Sequence, residues 1–136
     1  MKIIGFNLSK ILIEKKEKTV EKVQVSQNID IKDVAKDKIP ISDNDILKID
    51  FKFTINYSED FAKIEFEGSL LLLPEKDELK NVLKSWKEKK IPEDIRIGLF
   101  NFIMNKCNIK ALNLEDELGL PWHVPMPKLN PTEEKN

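Results

Sequence analysis

The chain has 136 residues, 40% of them apolar and 35% charged, with 23 basic and 24 acidic side chains and a net charge of −1. A length of this order suits one domain, expected to span 1–136, and buries roughly two-thirds of its unfolded surface, enough for a core without disulfides or metals. The balanced charge gives no general field for nucleic acid or anionic lipid, and Arg96 is the only arginine for bidentate phosphate or guanine contacts, so a nucleic-acid partner is not expected. Cys107 is the lone cysteine, so no internal disulfide can form, which fits a reducing cytoplasm.

The N-terminal "MKIIGFNLSK" is interrupted by Asn7 and Ser9 and lacks the apolar core of a signal peptide. No stretch approaches the roughly 18 uninterrupted apolar residues of a membrane span, so no stable membrane insertion is expected. "IIGFNLSKILIEK" reads as a first strand. "TVEKVQVSQNIDIKDV" alternates at Val20, Val23, Val25, Ile29 and Ile31 and reads as one strand or two, with a break near Ser26–Asn28. "AKDKIPISDND" reads as a loop, punctuated by Pro40 and the polar cluster Ser42–Asp45.

The clearest pattern is "LKIDFKFTINY". Leu47, Ile49, Phe51, Phe53, Ile55 and Tyr57 alternate with polar residues, the period of a half-buried strand. After "SED", Ala62, Ile64, Phe66, Leu70 and Leu72 face one way and Lys63, Glu65, Glu67 and Ser69 the other, which completes an antiparallel hairpin. Gly68 marks a bulge or a close approach.

After Pro74 the period becomes helical. Leu79, Val82, Leu83 and Trp86 share a face over about 75–90, with Pro74 at the first helical position. Pro92 opens a second helix over about 92–118, with Glu93 and Asp94 in its first turn. Its stripe runs through Ile95, Leu99, Phe102, Ile103, Cys107 or Lys106, and Leu114. Ile97, Phe100 and Met104 widen that stripe beyond what a surface helix needs. Asn108 is a candidate kink or break, and Gly119 a candidate helix end. From 119 to 136 the chain reads as an extended tail, in which Pro121, Pro125, Pro127 and Pro131 alternate with Leu120, Trp122, Val124, Met126 and Leu129 and the last residues are polar.

Candidates for chemistry are few. The sole histidine, His123, excludes a histidine-based metal cluster and reads as a surface or packing residue. Cys107 reads as a small core hydrophobe. Four glycines cannot write a phosphate-binding loop. In "LEDEL", Glu115, Asp116 and Glu117 diverge around a helix and read as a solvated face. Lys87–Lys90 read as a helix end favoured by the backbone dipole. The expectation is a protein with no enzymatic activity and no cofactor. What remains is apolar surface without an evident home, suited to tolerant binding.

The order of elements resembles the SecB export chaperones, in a distant, archaeal-type form. The resemblance runs from "FNLSKILIEK" through the hairpin "DILKIDFKFTINYSEDFAKIEFEGSLLLL" to "IPEDIRIGLFNFIMNKCNIKALNLED" and the proline-containing segment after it. It implies an α+β fold: a four-stranded antiparallel sheet from strands within about 3–73, two C-terminal helices and a proline-rich extended tail. It further implies ATP-independent holding of unfolded or pre-export polypeptides, as a cytoplasmic homo-oligomer (dimer or tetramer) serving protein transport. The groove residues it implies are Phe51, Phe53 and Ile55 on the strand, Phe100 and Met104 on the helix, and Leu120, Trp122, Val124 and Met126 on the ribbon. Three features depart from the family: no final short helix follows the ribbon, no strongly acidic surface is evident, and "PEKDELKNVLKSWKEKKIPED" is longer and more helical than expected. The alternative is a non-enzymatic interaction subunit of a fixed assembly, ribosome-associated or toxin–antitoxin-linked.

Overall fold

The computed structural model describes residues 2–38, 40, 44–75, 77–127 and 129. Its strands are β1 (Lys2–Lys15), β2 (Val25–Lys38), β3 (Asp45–Tyr57) and β4 (Ala62–Leu73), followed by the helices α1 (Glu78–Trp86) and α2 (Glu93–Leu118). All pairings are antiparallel, in the order β1-β4-β3-β2, so β1 and β2 are the outer strands. The architecture is α+β: a four-stranded antiparallel sheet carrying two helices and an extended C-terminal segment.

Period-two patterning decides which face is covered. Leu47, Ile49, Phe51, Phe53 and Ile55 on β3 pair with Leu72, Leu70, Gly68, Phe66 and Ile64 on β4, and all of these residues are buried. Phe53 stacks on its cross-strand partner Phe66 at 5.8 Å between ring centroids, and Phe6 of β1 stacks on Phe51 at 5.7 Å. Gly68 lies opposite both Phe51 and Leu8, where a Cβ would strike the backbone carbonyl of Asn7; the close approach read from its position is real. The other face is wet. At its centre Glu65 is buried beneath Lys10, Lys52 and Lys63, at 2.7, 3.1 and 3.2 Å.

Five local expectations are corrected. Ser26–Asn28 do not break β2, because each is paired with β3, and Ala35–Lys38 belong to the strand rather than the loop. Residues 42 and 43 of the expected loop cluster lie outside the described residues, as does the tail from 130 onward. Pro74 does not begin α1: it enforces the extended exit of β4, and the helix starts only after Asp77, whose φ of 76° is left-handed. At its other end α1 stops at Trp86, four residues short of the expected limit, because Lys89 takes a left-handed φ of 59°. Asn108 does not interrupt α2, which runs unbroken for 26 residues.

The buried stripe of α2 is Ile95, Leu99, Ile103, Cys107, Ala111 and Glu115. Each step is four residues, whereas a turn is about 3.6, so the stripe drifts around the helix as α2 tracks the twisted sheet along its i±4 ridge. Phe102 and Leu114, expected in the stripe, therefore sit half-buried beside it, and Ile97 and Ile109 point outward at 55% and 66% exposure. Gly119, at φ 67°, ends the helix as expected. Leu120 N–H returns to the Glu115 carbonyl at 2.8 Å, a Schellman-type closure, and Lys15 Nζ of β1 donates to the Leu118 carbonyl at 2.8 Å.

Candidate functional site

The proline ribbon after Gly119 is seated by polar groups. Tyr57, the last residue of β3, points its hydroxyl between the Glu115 carboxylate of α2 and the Pro121 carbonyl, the latter at 2.8 Å. Glu115 also faces His123: Nδ1 lies 2.8 and 3.0 Å from its two oxygens, and the His123 backbone N–H donates to Oε1 at 3.4 Å. His123 Nε2 donates to Asn108 Oδ1 at 2.7 Å. The His123 ring is thus held between the Glu115 carboxylate on its Nδ1 side and the Asn108 amide on its Nε2 side.

The Glu115 and His123 side chains are fully buried, which corrects the expectation that Glu115 belongs to a solvated face. The correction has a physical reason: the drifting stripe of α2 reaches position 115 just where the ribbon crosses, and a buried carboxylate is tolerated because every oxygen meets a donor. Burial, and then the bond to Glu115, raise the Tyr57 hydroxyl well above the ordinary phenol range, so it remains a donor. Burial likewise pushes the Cys107 thiol up to about 12, consistent with an inert core residue.

Seen from outside, the ribbon presents apolar groups. Leu120 turns inward and is buried, Val124 is half-buried, and Trp122 and Met126 stand 50% and 43% exposed. Phe100 and Met104 are half-buried on α2. Phe51, Phe53 and Ile55 lie on the covered face of the sheet and form its rigid floor. The structure thus brings the ribbon residues into one seated segment and leaves the three β3 residues beneath the helices.

Phe100 also helps wall a cleft of about 590 Å³ beside the outer edge of β2. Ile29, Ile31, Trp86 and Ile91 share that cleft and were not among the site residues expected from the sequence, which placed Ile29, Ile31 and Trp86 only on the apolar faces of their elements; the odd length of the α1 segment was the one hint that something is built there. Sequence reasoning also missed the seat itself. Its available signal was the sole histidine embedded in an apolar ribbon eight residues beyond a glutamate on an otherwise apolar helix.

No family model matches the chain, and no curated protein matches it. Among solved structures, the SecB-like chaperone of Mycobacterium tuberculosis, in complex with a peptide from an antitoxin, is similar over 96% of this chain and 91% of that one, at 17% sequence identity and a TM-score of 0.49.

Proposed function

We propose that the protein is an ATP-independent holdase that keeps unfolded or pre-export polypeptide segments against an apolar surface, acting as a cytoplasmic homo-oligomer. The observation that carries this reading is the ribbon: Trp122 and Met126 stay exposed on a backbone that cannot collapse. Pro121, Pro125 and Pro127 restrict its dihedrals, and the Tyr57–Glu115–His123–Asn108 bonds hold its start. A surface ordered before binding loses less conformational entropy when it captures a chain. Trp122, Met126 and Val124 are the contacts, Phe100 and Met104 extend them, and Phe51, Phe53, Ile55 and Leu120 supply the floor.

The one constellation that has the residue types of a catalytic relay, Tyr57, Glu115, His123 and Asn108, has a fully buried His123 ring that no substrate reaches, which supports a non-enzymatic role. The fixed seat also favours a second reading, a subunit that docks one defined partner, because Trp122 is presented from a fixed backbone. Aggregation of a thermally unfolding client, followed by light scattering without ATP, separates the two. A holdase slows precipitation, and Trp122→Ala with Met126→Ala removes most of that effect. Precipitation as fast as in buffer, with one stoichiometric partner recovered by pull-down, overturns the first reading in favour of the second.

A further inference from the structure

Charge is balanced over the whole chain but not along it. Lys80, Lys84, Lys87, Lys89 and Lys90 stand close together with Glu88 as the one acid among them, while the rest of the chain carries more acid than base. All five lysines are exposed. They belong to α1 and the turn that follows it. The apolar side of α1 is already taken up by the core: Val82 is buried, and Leu79, Leu83 and Trp86 are half-buried against it. At about 3.6 residues per turn, Lys80, Lys84 and Lys87 then share the outward arc, along about 10 Å of helix axis. That length is close to one Debye length at physiological salt, so the lysines act on a partner together. Arg96 of α2 is exposed, lines the same cleft as Lys89 and Lys90, and extends the patch.

The fold does not account for these charges. The helix dipole favours Lys84 and Lys87 at the C-terminal end of α1, but it disfavours Lys80 in the first turn. Lys80 with Lys84, and Lys84 with Lys87, are like charges one turn apart, which weakens a helix. Among the described residues none of the five lysines is held in an ion pair. Lys89 has a left-handed φ of 59°, a conformation that glycine adopts more readily, and its Nζ sits 4.8 Å above the Trp86 ring. The next acids along the chain, Glu93 and Asp94, lie in the first turn of α2, where the dipole favours them.

We propose that the outward face of α1 and the turn after it form a docking surface for an anionic phospholipid membrane, on which the protein adsorbs without inserting. Lysine ammonium groups are point charges that impose no fixed pairing geometry, and lipid headgroups move sideways to meet each of them. The apolar residues of α1 face inward, and among the described residues no helix is long and apolar enough to cross a membrane, so contact stops at the headgroup layer. A basic cluster of this kind attracts acidic lipid, with about a fivefold gain in affinity per lysine. Nucleic acid fits less well. Its phosphates and bases call for arginine forks or open aromatic faces, whereas Arg96 is the only arginine and Lys89 covers the Trp86 ring. The surface lies apart from the ribbon, and the inference does not depend on the holdase reading.

Co-sedimentation with phosphatidylcholine vesicles, beside vesicles in which about one lipid in three is phosphatidylglycerol, tests it. Adsorption to the anionic vesicles is expected to be about tenfold or more stronger at low salt, and to fade as salt rises. Lys80→Gln, Lys84→Gln and Lys87→Gln together should bring it down about tenfold or more, toward the neutral vesicles. The control Lys16→Gln, Lys22→Gln and Lys110→Gln changes net charge equally at exposed sites and should leave adsorption within about twofold. The α1 variant should also keep or raise the melting temperature, because it relieves like-charge contacts. Indifference to lipid charge, equal loss in both triple variants, or a lowered melting temperature of the α1 variant overturns the proposal. So does preference for a duplex oligonucleotide or for polyglutamate over anionic vesicles at equal charge concentration. If the protein protects clients but ignores anionic vesicles, this proposal falls alone; if it adsorbs but clients still precipitate, the docking surface stands and the holdase reading falls.

Discussion

The covered face of the sheet and the seat of the ribbon use opposite means. Beneath α2, aliphatic and aromatic side chains from neighbouring strands fill space, and each contact is non-directional. Under the ribbon, a phenol, a carboxylate, an imidazole and an amide fix one backbone path through directional bonds. The difference teaches how an apolar segment can be held down without hiding its apolar side chains: the polar seat fixes the backbone of residues 121 and 123, and Trp122 between them remains outside.

The largest effect expected from breaking this contrast lies in the apolar layer. Phe53→Ala removes a fully buried ring and its stacking on Phe66, and should cost about 3–5 kcal/mol in denaturant unfolding, the range for large cavities in closed cores. The ribbon path should be unchanged as long as the variant stays folded. Glu115→Ala is the sharper case. It strands His123 without its carboxylate acceptor, leaves Tyr57 only the Pro121 carbonyl, and should cost about 3 kcal/mol, with accelerated proteolysis between 119 and 127 as the distinguishing readout. A stability loss without faster cleavage of the ribbon would mean that Glu115 supports the core and not the seat.

On the wet face, a smaller effect depends on pH. The hydrogen bond from Lys10, joined by those from Lys52 and Lys63, lowers the Glu65 carboxyl from 4.5 to about 2. The folded state thus favours the charged form, so this contribution is present above pH 4.5 and is lost as pH falls toward 2. Glu65→Gln should cost about 1 kcal/mol at neutral pH, because the lysine partners remain in contact with solvent, and the gap to the unaltered protein should close near pH 2. Urea titrations across that range measure it, and a gap that widens on acidification would contradict the assignment.

Much of the sheet was legible in the sequence because period two is a property of the chain itself: Leu47 to Tyr57 and Ala62 to Leu72 announce their faces without reference to anything distant. The stripe on α2 was only partly legible. Whether burial follows Phe102 and Leu114 or Cys107, Ala111 and Glu115 depends on the twist of the sheet below, which no local pattern encodes. The seat was illegible for a related reason. "LEDEL" has the pattern of a solvated turn, and only the return of the chain at His123, with Tyr57 arriving from a strand 58 residues earlier, converts Glu115 into a buried acceptor. The β2 cleft depends on where the α1–α2 connection lands relative to an outer strand, again a tertiary fact.

The most direct measurement of the central claim is a cross-linking footprint of a permanently unfolded client on the protein. The account predicts attachment along the ribbon and the neighbouring side of α2, at sites engineered beside Trp122, Met126 and Met104, with little at Lys52, Lys63 or Thr54 on the wet face of the sheet. Attachment concentrated on that wet face, or no attachment to the ribbon at all, would contradict it.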